Sequence, residues 1–286
     1  MSYDARGIAS RVDESTTFGR TINMRTRNEC RPAQQLASCA ILMLALAAPT
    51  QAAEEPSATP YRPSVSNPAE LSAPGWLELE AGGLRQKGGE LKRRDSIPYL
   101  AKVAFSEDWG VLLGGEARVE QIDRARDRMT GIGDTQLLLK RRIAVNNESA
   151  FGFEAGLKVP TAKRGIGSDH TDYILNGIYS HDVGSYHLDV NLGLTRLGTS
   201  DPGDSRTQTG WAVAISRELT DRWTLAAELA GTTRRGASDP AQFLVAAGYA
   251  VSKRVVLDAG VAFGLNDASP DWQFFAGITM LLGRLW

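Results

Sequence analysis

Residues 75–286 predict an all-β fold, a transmembrane antiparallel up-and-down β-barrel of about twelve strands. Three observations carry that expectation. Side chains alternate apolar and polar along segments of barrel-crossing length. The connections between those segments alternate long and short. The chain opens with an export leader and closes on an aromatic residue, Trp286.

The alternation is clearest in four segments. In 186–197, Leu188, Val190, Leu192 and Leu194 share one face, and His187, Asp189, Asn191, Gly193 and Thr195 share the other. In 255–265, Val255, Leu257, Ala259, Val261 and Phe263 lie opposite Val256, Asp258, Gly260, Ala262 and Gly264. Segments 151–160 and 223–231 repeat the pattern, with Glu154, Lys158 and Glu228 on their polar faces. Side chains that alternate between faces are strand geometry. The same alternation would suit a soluble sandwich, so the strands alone do not separate the two.

The pattern places strands at 76–83, 97–105, 109–120, 132–144, 150–160, 172–181, 186–197, 209–217, 223–232, 242–250, 255–265 and 271–285. Long connections at 84–96, 121–131, 161–171, 198–208 and 233–241 then alternate with short ones at 106–108, 145–149, 182–185, 218–222 and 251–254. Outer-membrane barrels have short periplasmic turns and longer extracellular loops, which puts both termini in the periplasm. Closure follows from the solvent. Hydrocarbon offers backbone groups no partner, and only a closed sheet has no free edge.

The N-terminus reads as an exported leader. Arg25, Arg27 and Arg31 precede an apolar run from Leu36 to Ala48, and small residues follow at Ala52 and Ala53. This is the order of a secretory signal peptide, here residues 1–52, with Met24 as an alternative start and residues 1–23 as an upstream extension. The apolar run is too short for a spanning helix. Residues 53–74 hold Pro56, Pro60, Pro63, Pro68 and Pro74 among small and polar residues, and are expected to be a flexible periplasmic leader. A plug inside the barrel is the alternative for this segment.

Composition narrows the function classes. The net charge is −1, from 32 basic and 33 acidic residues, without a block of like charge, which argues against a nucleic-acid partner. Both cysteines, Cys30 and Cys39, lie in the leader, so the barrel can form neither a disulfide nor a thiolate metal site. No HExxH or GxSxG spacing occurs, and Ser180 and His181 are adjacent and therefore point to opposite faces of a strand. No catalytic residue, metal site or cofactor is expected.

The functional signal is charge on the polar faces: Glu78, Glu80, Lys102, Glu116, Arg118, Glu120, Lys140, Arg142, Glu154, Lys158, Asp189, Glu228 and Asp258, with Asn191. These are candidates for lining the lumen and tuning selectivity. The plainer reading is a set of ion pairs stitching the wall. Trp76, Tyr99, Trp109, Trp211, Trp223 and Trp272 are expected at strand ends as interface girdles.

Short motifs along residues 75–286 add a resemblance. They are Gly131-Ile132-Gly133-Asp134-Thr135, Leu157-Lys158-Val159-Pro160-Thr161 with Gly165-Ile166-Gly167-Ser168 and Asp172, Val190-Asn191-Leu192-Gly193, and Gly264-Leu265-Asn266 with Ser269-Pro270-Asp271-Trp272 and Phe275-Ala276-Gly277. Their order resembles the outer-membrane transporter family of the MetA pathway of phenol degradation. The resemblance implies a link to uptake of aromatic compounds and carries no catalytic residues. The expected function is passive passage of small solutes through the outer membrane of a Gram-negative bacterium. The expected partners are outer-membrane lipids, a small-molecule solute, and the barrel-assembly machinery recognising the strand that ends at Trp286. A lipid-modifying hydrolase and a non-transporting adhesion barrel are the alternatives.

Overall fold

A computed structural model describes residues 55–286. The signal-peptide reading of residues 1–52 lies outside the described residues.

Thirteen strands form one closed antiparallel sheet: β1 (Trp76–Gly88), β2 (Leu91–Ala104), β3 (Trp109–Ile122), β4 (Arg128–Gly131), β5 (Thr135–Ala144), β6 (Ser149–Val159), β7 (Asp172–Val183), β8 (Tyr186–Arg196), β9 (Thr207–Glu218), β10 (Trp223–Thr233), β11 (Ala241–Ser252), β12 (Val255–Gly264) and β13 (Trp272–Arg284). The first and last strands pair, Glu80 opposite Thr279 and Gly82 opposite Gly277, which closes the ring. β4 has four residues and only extends the β3 hairpin beyond the rim, so twelve strands span.

The outward face is a continuous apolar belt. Leu137 and Leu139 on β5, Phe153 on β6, Leu175 on β7, Leu192 and Leu194 on β8 and Val213 on β9 are all exposed. Their alternates point inward and are buried. A soluble sandwich would bury the apolar set, so exposure of these leucines identifies the outer surface as lipid-facing.

The long–short alternation holds, with one revision. The expected long loop 84–96 is a tight hairpin, because β1 and β2 continue in register past Leu84↔Ser96 to Lys87↔Arg93. Gly88 and Gly89 take the left-handed backbone conformation that the turn requires. The polar residues Arg85, Arg93 and Asp95 that suggested a loop are paired across the strands instead, Arg85 with Asp95 and Arg93 with Glu120. As a result Tyr99 lies within β2 and not at its end.

Candidate functional site: a lumen crossed by the N-terminal strap

The lumen is occupied. Residues 58–72 enter it from the short-turn end, reach mid-height around residues 64–67, and return to the same end to join β1. Ala58 donates its N–H to Lys253 O (2.8 Å) and Glu55 pairs with Arg254, both in the β11–β12 turn. At the other end Gly75 donates to Ala104 O (2.8 Å). The expectation of a flexible leader is therefore corrected. This strap carries no apolar period because it packs mainly on a polar wall, through its backbone, and makes apolar contact only locally, Tyr61 with Leu112 and Leu138 and Ala69 with Ala150 and Ile178.

The wall reads the strap's N–H groups with carboxylates and amides. Thr59 N donates to Glu78 Oε2 (3.0 Å), and Tyr61 N and Arg62 N donate to the two oxygens of Glu80 (2.8 and 3.0 Å). Glu228 accepts from Val65 N (3.1 Å), Ser66 N (2.8 Å) and the Ser64 hydroxyl. Asn67 N donates to Asn191 Oδ1 (3.1 Å), and Ala69 N to Ser180 Oγ (2.7 Å). Tyr61 lies between two walls' cations, with Lys102 Nζ 3.8 Å and Lys140 Nζ 4.2 Å from its ring centroid.

Inward glycines make room. A Cβ on Gly82 would meet the Arg62 guanidinium at 2.4 Å, and one on Gly277 would meet Arg62 Nε at 2.6 Å. Arg62 fills that groove and reaches Asp258 (3.4 Å). Across β11–β13 the lumen is filled by the wall itself, where the Phe275 ring packs on Leu244, Ala246 and Ala262.

The predicted site residues fall into four groups. Glu78, Glu80, Lys102, Lys140, Glu154, Asn191, Glu228 and Asp258 are brought together at mid-height, buried against the strap. Lys102 pairs with Glu78 (2.6 Å) and with Glu80, and Lys140 pairs with Glu154 (3.1 Å). From Glu80 on β1, through Lys140 on β5 and Asn191 on β8, to Glu228 on β10 and Thr279 on β13, every spanning strand contributes a buried inward side chain at this level. With the strap and the Phe275 cluster these side chains fill most of the lumen, and Glu154 and Asn191 border the smaller of the cavities above the strap.

Two residues of the set sit at the short-turn mouth. Arg142 lies 3.9 Å from Glu70 of the strap, and Asp189 accepts from the Ser180 hydroxyl (2.5 Å) beside His187 Nε2 (3.1 Å). Two others sit at the long-loop mouth. Glu116 pairs with Arg94 (2.5 Å), and Lys158 bridges Asp172 (2.6 Å) and Asp134 (3.3 Å).

Arg118 does not line the lumen, and neither does Glu120. The β2–β3 register shifts by one residue, from Pro98↔Glu116 to Ile97↔Arg118. The bulge at Ala117 exchanges the faces, so Val119 and Gln121 point inward and are buried while Arg118 is exposed. Glu120 pairs outside with Arg93 (2.9 Å) and Arg128 (2.6 Å). A strict period of two cannot reveal a bulge.

Above the strap lies a vestibule. A cavity of about 530 Å³ is lined by Arg94, Glu116, Asp134 and Lys158 together with Leu100, Leu112 and Leu138, and Asn67 of the strap forms part of its floor. A second cavity of about 220 Å³ shares Asn67, Gln136 and Leu138 and extends to Asn176, Gln208 and Thr232. The roof of the first cavity is the 160–171 connection, through Ile166, Gly167 and Ser168. Asp134 accepts from Ala162 N (3.1 Å) and Ser168 N (3.3 Å), and Gln121 Nε2 donates to Gly165 O (2.8 Å). The two motifs Gly131–Thr135 and Gly165–Ser168 thus meet at one mouth. A Cβ on Gly131 would meet Lys163 Cβ at 2.6 Å, and one on Gly167 would meet Asp134 Oδ1 at 2.5 Å, so these glycines allow the loop to close over the lumen.

Sequence reasoning missed Tyr61, Arg62 and Asn67, because nothing in a proline-rich segment signals a backbone-bound strap. It also missed a pair formed by register. Ser149 and His181 are opposite each other on β6 and β7, with Oγ 2.8 Å from Nδ1 at the short-turn rim. Ser180 is indeed no partner of His181. It points inward to Asp189 and Ala69.

Solved structures share this architecture. An outer membrane channel from Pseudomonas putida F1 superposes with a TM-score of 0.59 at 14% identity, over 75% of this chain and 98% of that one. The NanC porin does so at 0.54 and 9% identity, over 71% of this chain and 100% of that one. No curated protein sequence matches the chain. The family model described as "Putative MetA-pathway of phenol degradation" matches residues 75–282, and the chain belongs to that family.

Proposed function

We propose that this protein is a non-enzymatic outer-membrane channel for passive passage of small solutes, including aromatic compounds. The observation that carries the reading is the vestibule. It combines an apolar wall, formed by Leu100, Leu112 and Leu138, with polar groups at its rim and floor. Such a lining suits a solute with an apolar body and one polar group. The family's description and the porins sharing the fold support the same direction. Uptake of phenol and benzoate into proteoliposomes, with a sugar as comparison, tests it. Solute flux no faster than in empty liposomes overturns it.

The hydrolase alternative has one specific observation in its favour, the Ser149–His181 pair on the outward face. The hydroxyl meets Nδ1, which also lies 3.2 Å from Glu148 O, and among the described residues no carboxylate or amide side chain hydrogen-bonds to the imidazole. A Ser–His nucleophile needs the second ring nitrogen held by an orienting group. The pair is better read as a rim contact beside the stacked Tyr179. Phospholipid hydrolysis by the purified protein that is lost in Ser149→Ala would reverse this assignment.

Export by cleavage near residue 52 and assembly through the C-terminal strand complete the proposal. N-terminal sequencing of protein from outer membranes checks the first. Reduced membrane insertion of a chain lacking Trp286 checks the second.

A further inference from the structure

We propose that the outer surface of the short-turn rim binds the phosphate of anionic glycerophospholipids through Arg141, Arg217 and Arg222. The starting observation is a break in the lipid-facing stripe. On β5 the outward side chains run Leu137, Leu139, Arg141 and Ile143. On β9 they run Val213, Ile215 and Arg217, with Leu219 next. The apolar members of both rows are exposed, and so are the two arginines. Register fixes the face, since Arg141 stands opposite Phe153 and Arg217 opposite Leu225, both of them lipid-facing.

Each arginine is braced by an aromatic ring at the same rim. The Arg141 guanidinium lies over Trp109, its cross-strand partner, 5.0 Å from the ring centroid. Arg217 lies 5.1 Å from the ring of its own partner, Tyr186, and donates to the phenol oxygen (3.2 Å). Arg222, exposed in the turn before β10, donates to the Tyr249 hydroxyl (3.3 Å), and that ring packs on Trp223 at 4.9 Å. A ring engages the face of a guanidinium and leaves N–H groups at its edge, in the planar fork that suits phosphate.

What those N–H groups lack is an anion. No carboxylate pairs with Arg141, Arg217 or Arg222 among the described residues. The outward arginines of the opposite rim differ, because Arg85 has Asp95 (2.7 Å) and both Arg93 and Arg128 have Glu120 (2.9 and 2.6 Å). Arg254, over Trp76 at the short-turn rim, has Glu55 (2.9 Å). An unpaired arginine on the lipid face is tolerated only near the interface, where its head can reach a polar group. Trp109, Tyr186 and Trp223 mark that level, since such rings sit among the lipid head groups. The anion that the membrane itself offers there is the lipid phosphate. The assignment concerns the outer surface and is independent of what passes through the barrel.

Native mass spectrometry of the purified barrel tests it, with phosphatidylglycerol titrated against diacylglycerol of the same chains, which lacks the phosphate. Phosphatidylglycerol should bind more tightly. Arg141→Gln, Arg217→Gln and Arg222→Gln should each weaken its site about fivefold, the factor for about 1 kcal/mol at one guanidinium near an anionic lipid surface. The triple variant should retain phosphatidylglycerol no better than diacylglycerol. Arg128→Gln, which removes a paired arginine at the other rim, should change nothing. Heat-modifiable migration on a gel selects the folded variants, and the single substitutions carry the test if the triple one does not assemble. Equal phosphatidylglycerol binding by the wild type and the folded variants overturns the proposal. Displacement of the lipid by inorganic phosphate, beyond that caused by sodium chloride at equal ionic strength, overturns it too, since the site would then be one for the free ion.

Discussion

The two halves of the lumen wall solve the same electrostatic problem differently. On β1, β2, β5 and β6 the buried charges are paired within the wall: Lys102 with Glu78 and Glu80, Lys140 with Glu154. On β8, β10 and β12, Asn191, Glu228 and Asp258 find partners mainly in the strap. The first half joins adjacent strands by ion pairs of its own, in addition to the bonds it makes to the strap. The second half is complete only when the strap is seated. A polar barrel interior therefore has a structural side and a responsive side, built from the same residue types.

The largest effect expected from breaking this comparison is on the self-paired half. Lys102→Ala leaves Glu78 and Glu80 buried without their cation, and should destabilise the barrel by about 3–5 kcal/mol. Denaturant unfolding in detergent reads it directly. If the loss is under about 1 kcal/mol, the self-paired half is no more structural than the other.

Arg62→Ala should cost less, about 1–3 kcal/mol, because Asp258 keeps a buried carboxylate and loses the one cation paired with it among the described residues. The same variant empties the groove over Gly82 and Gly277, so the pore should also leak ions at rest. Closed-state current measures this, and a tight closed state would show that Arg62 is not part of the seal.

Glu228→Ala should change unfolding by under about 1 kcal/mol, since removing the acceptor frees strap N–H groups that can reach water. Conductance should rise while stability stays put, the opposite of Lys102→Ala. Equal losses of stability in the two variants would erase the distinction between the halves.

The smallest effect belongs to Arg118. Exposed on the outer surface beyond the Ala117 bulge, it should alter neither ion selectivity nor conductance when changed to Ala, and stability should move by no more than about 0.5 kcal/mol. A selectivity change in reversal potential would place it in the lumen after all.

Much of the barrel was legible because period two is a local property. Leu188, Val190, Leu192 and Leu194 declare a face within one strand, and the spacing of turns assigns the ends. The charged lumen face was legible in the same way up to Glu116, and failed at Arg118 because a single extra residue inverts the pattern without changing composition. The hairpin at Gly88–Gly89 was hidden by Arg85, Arg93 and Asp95, which look like loop residues until their cross-strand partners are known.

The sequence by itself determined the strand period, the lipid-facing surface, the orientation and the inward charges outside the Ala117 bulge, since each depends on side chains a few residues apart. Only the tertiary structure decided that residues 58–72 return into the barrel. Their contacts are largely backbone N–H groups, which every residue but proline carries, meeting carboxylates up to 163 positions away, as Val65 meets Glu228. A main-chain donor leaves no mark in the sequence, so the strap becomes visible only when the wall that binds it has closed.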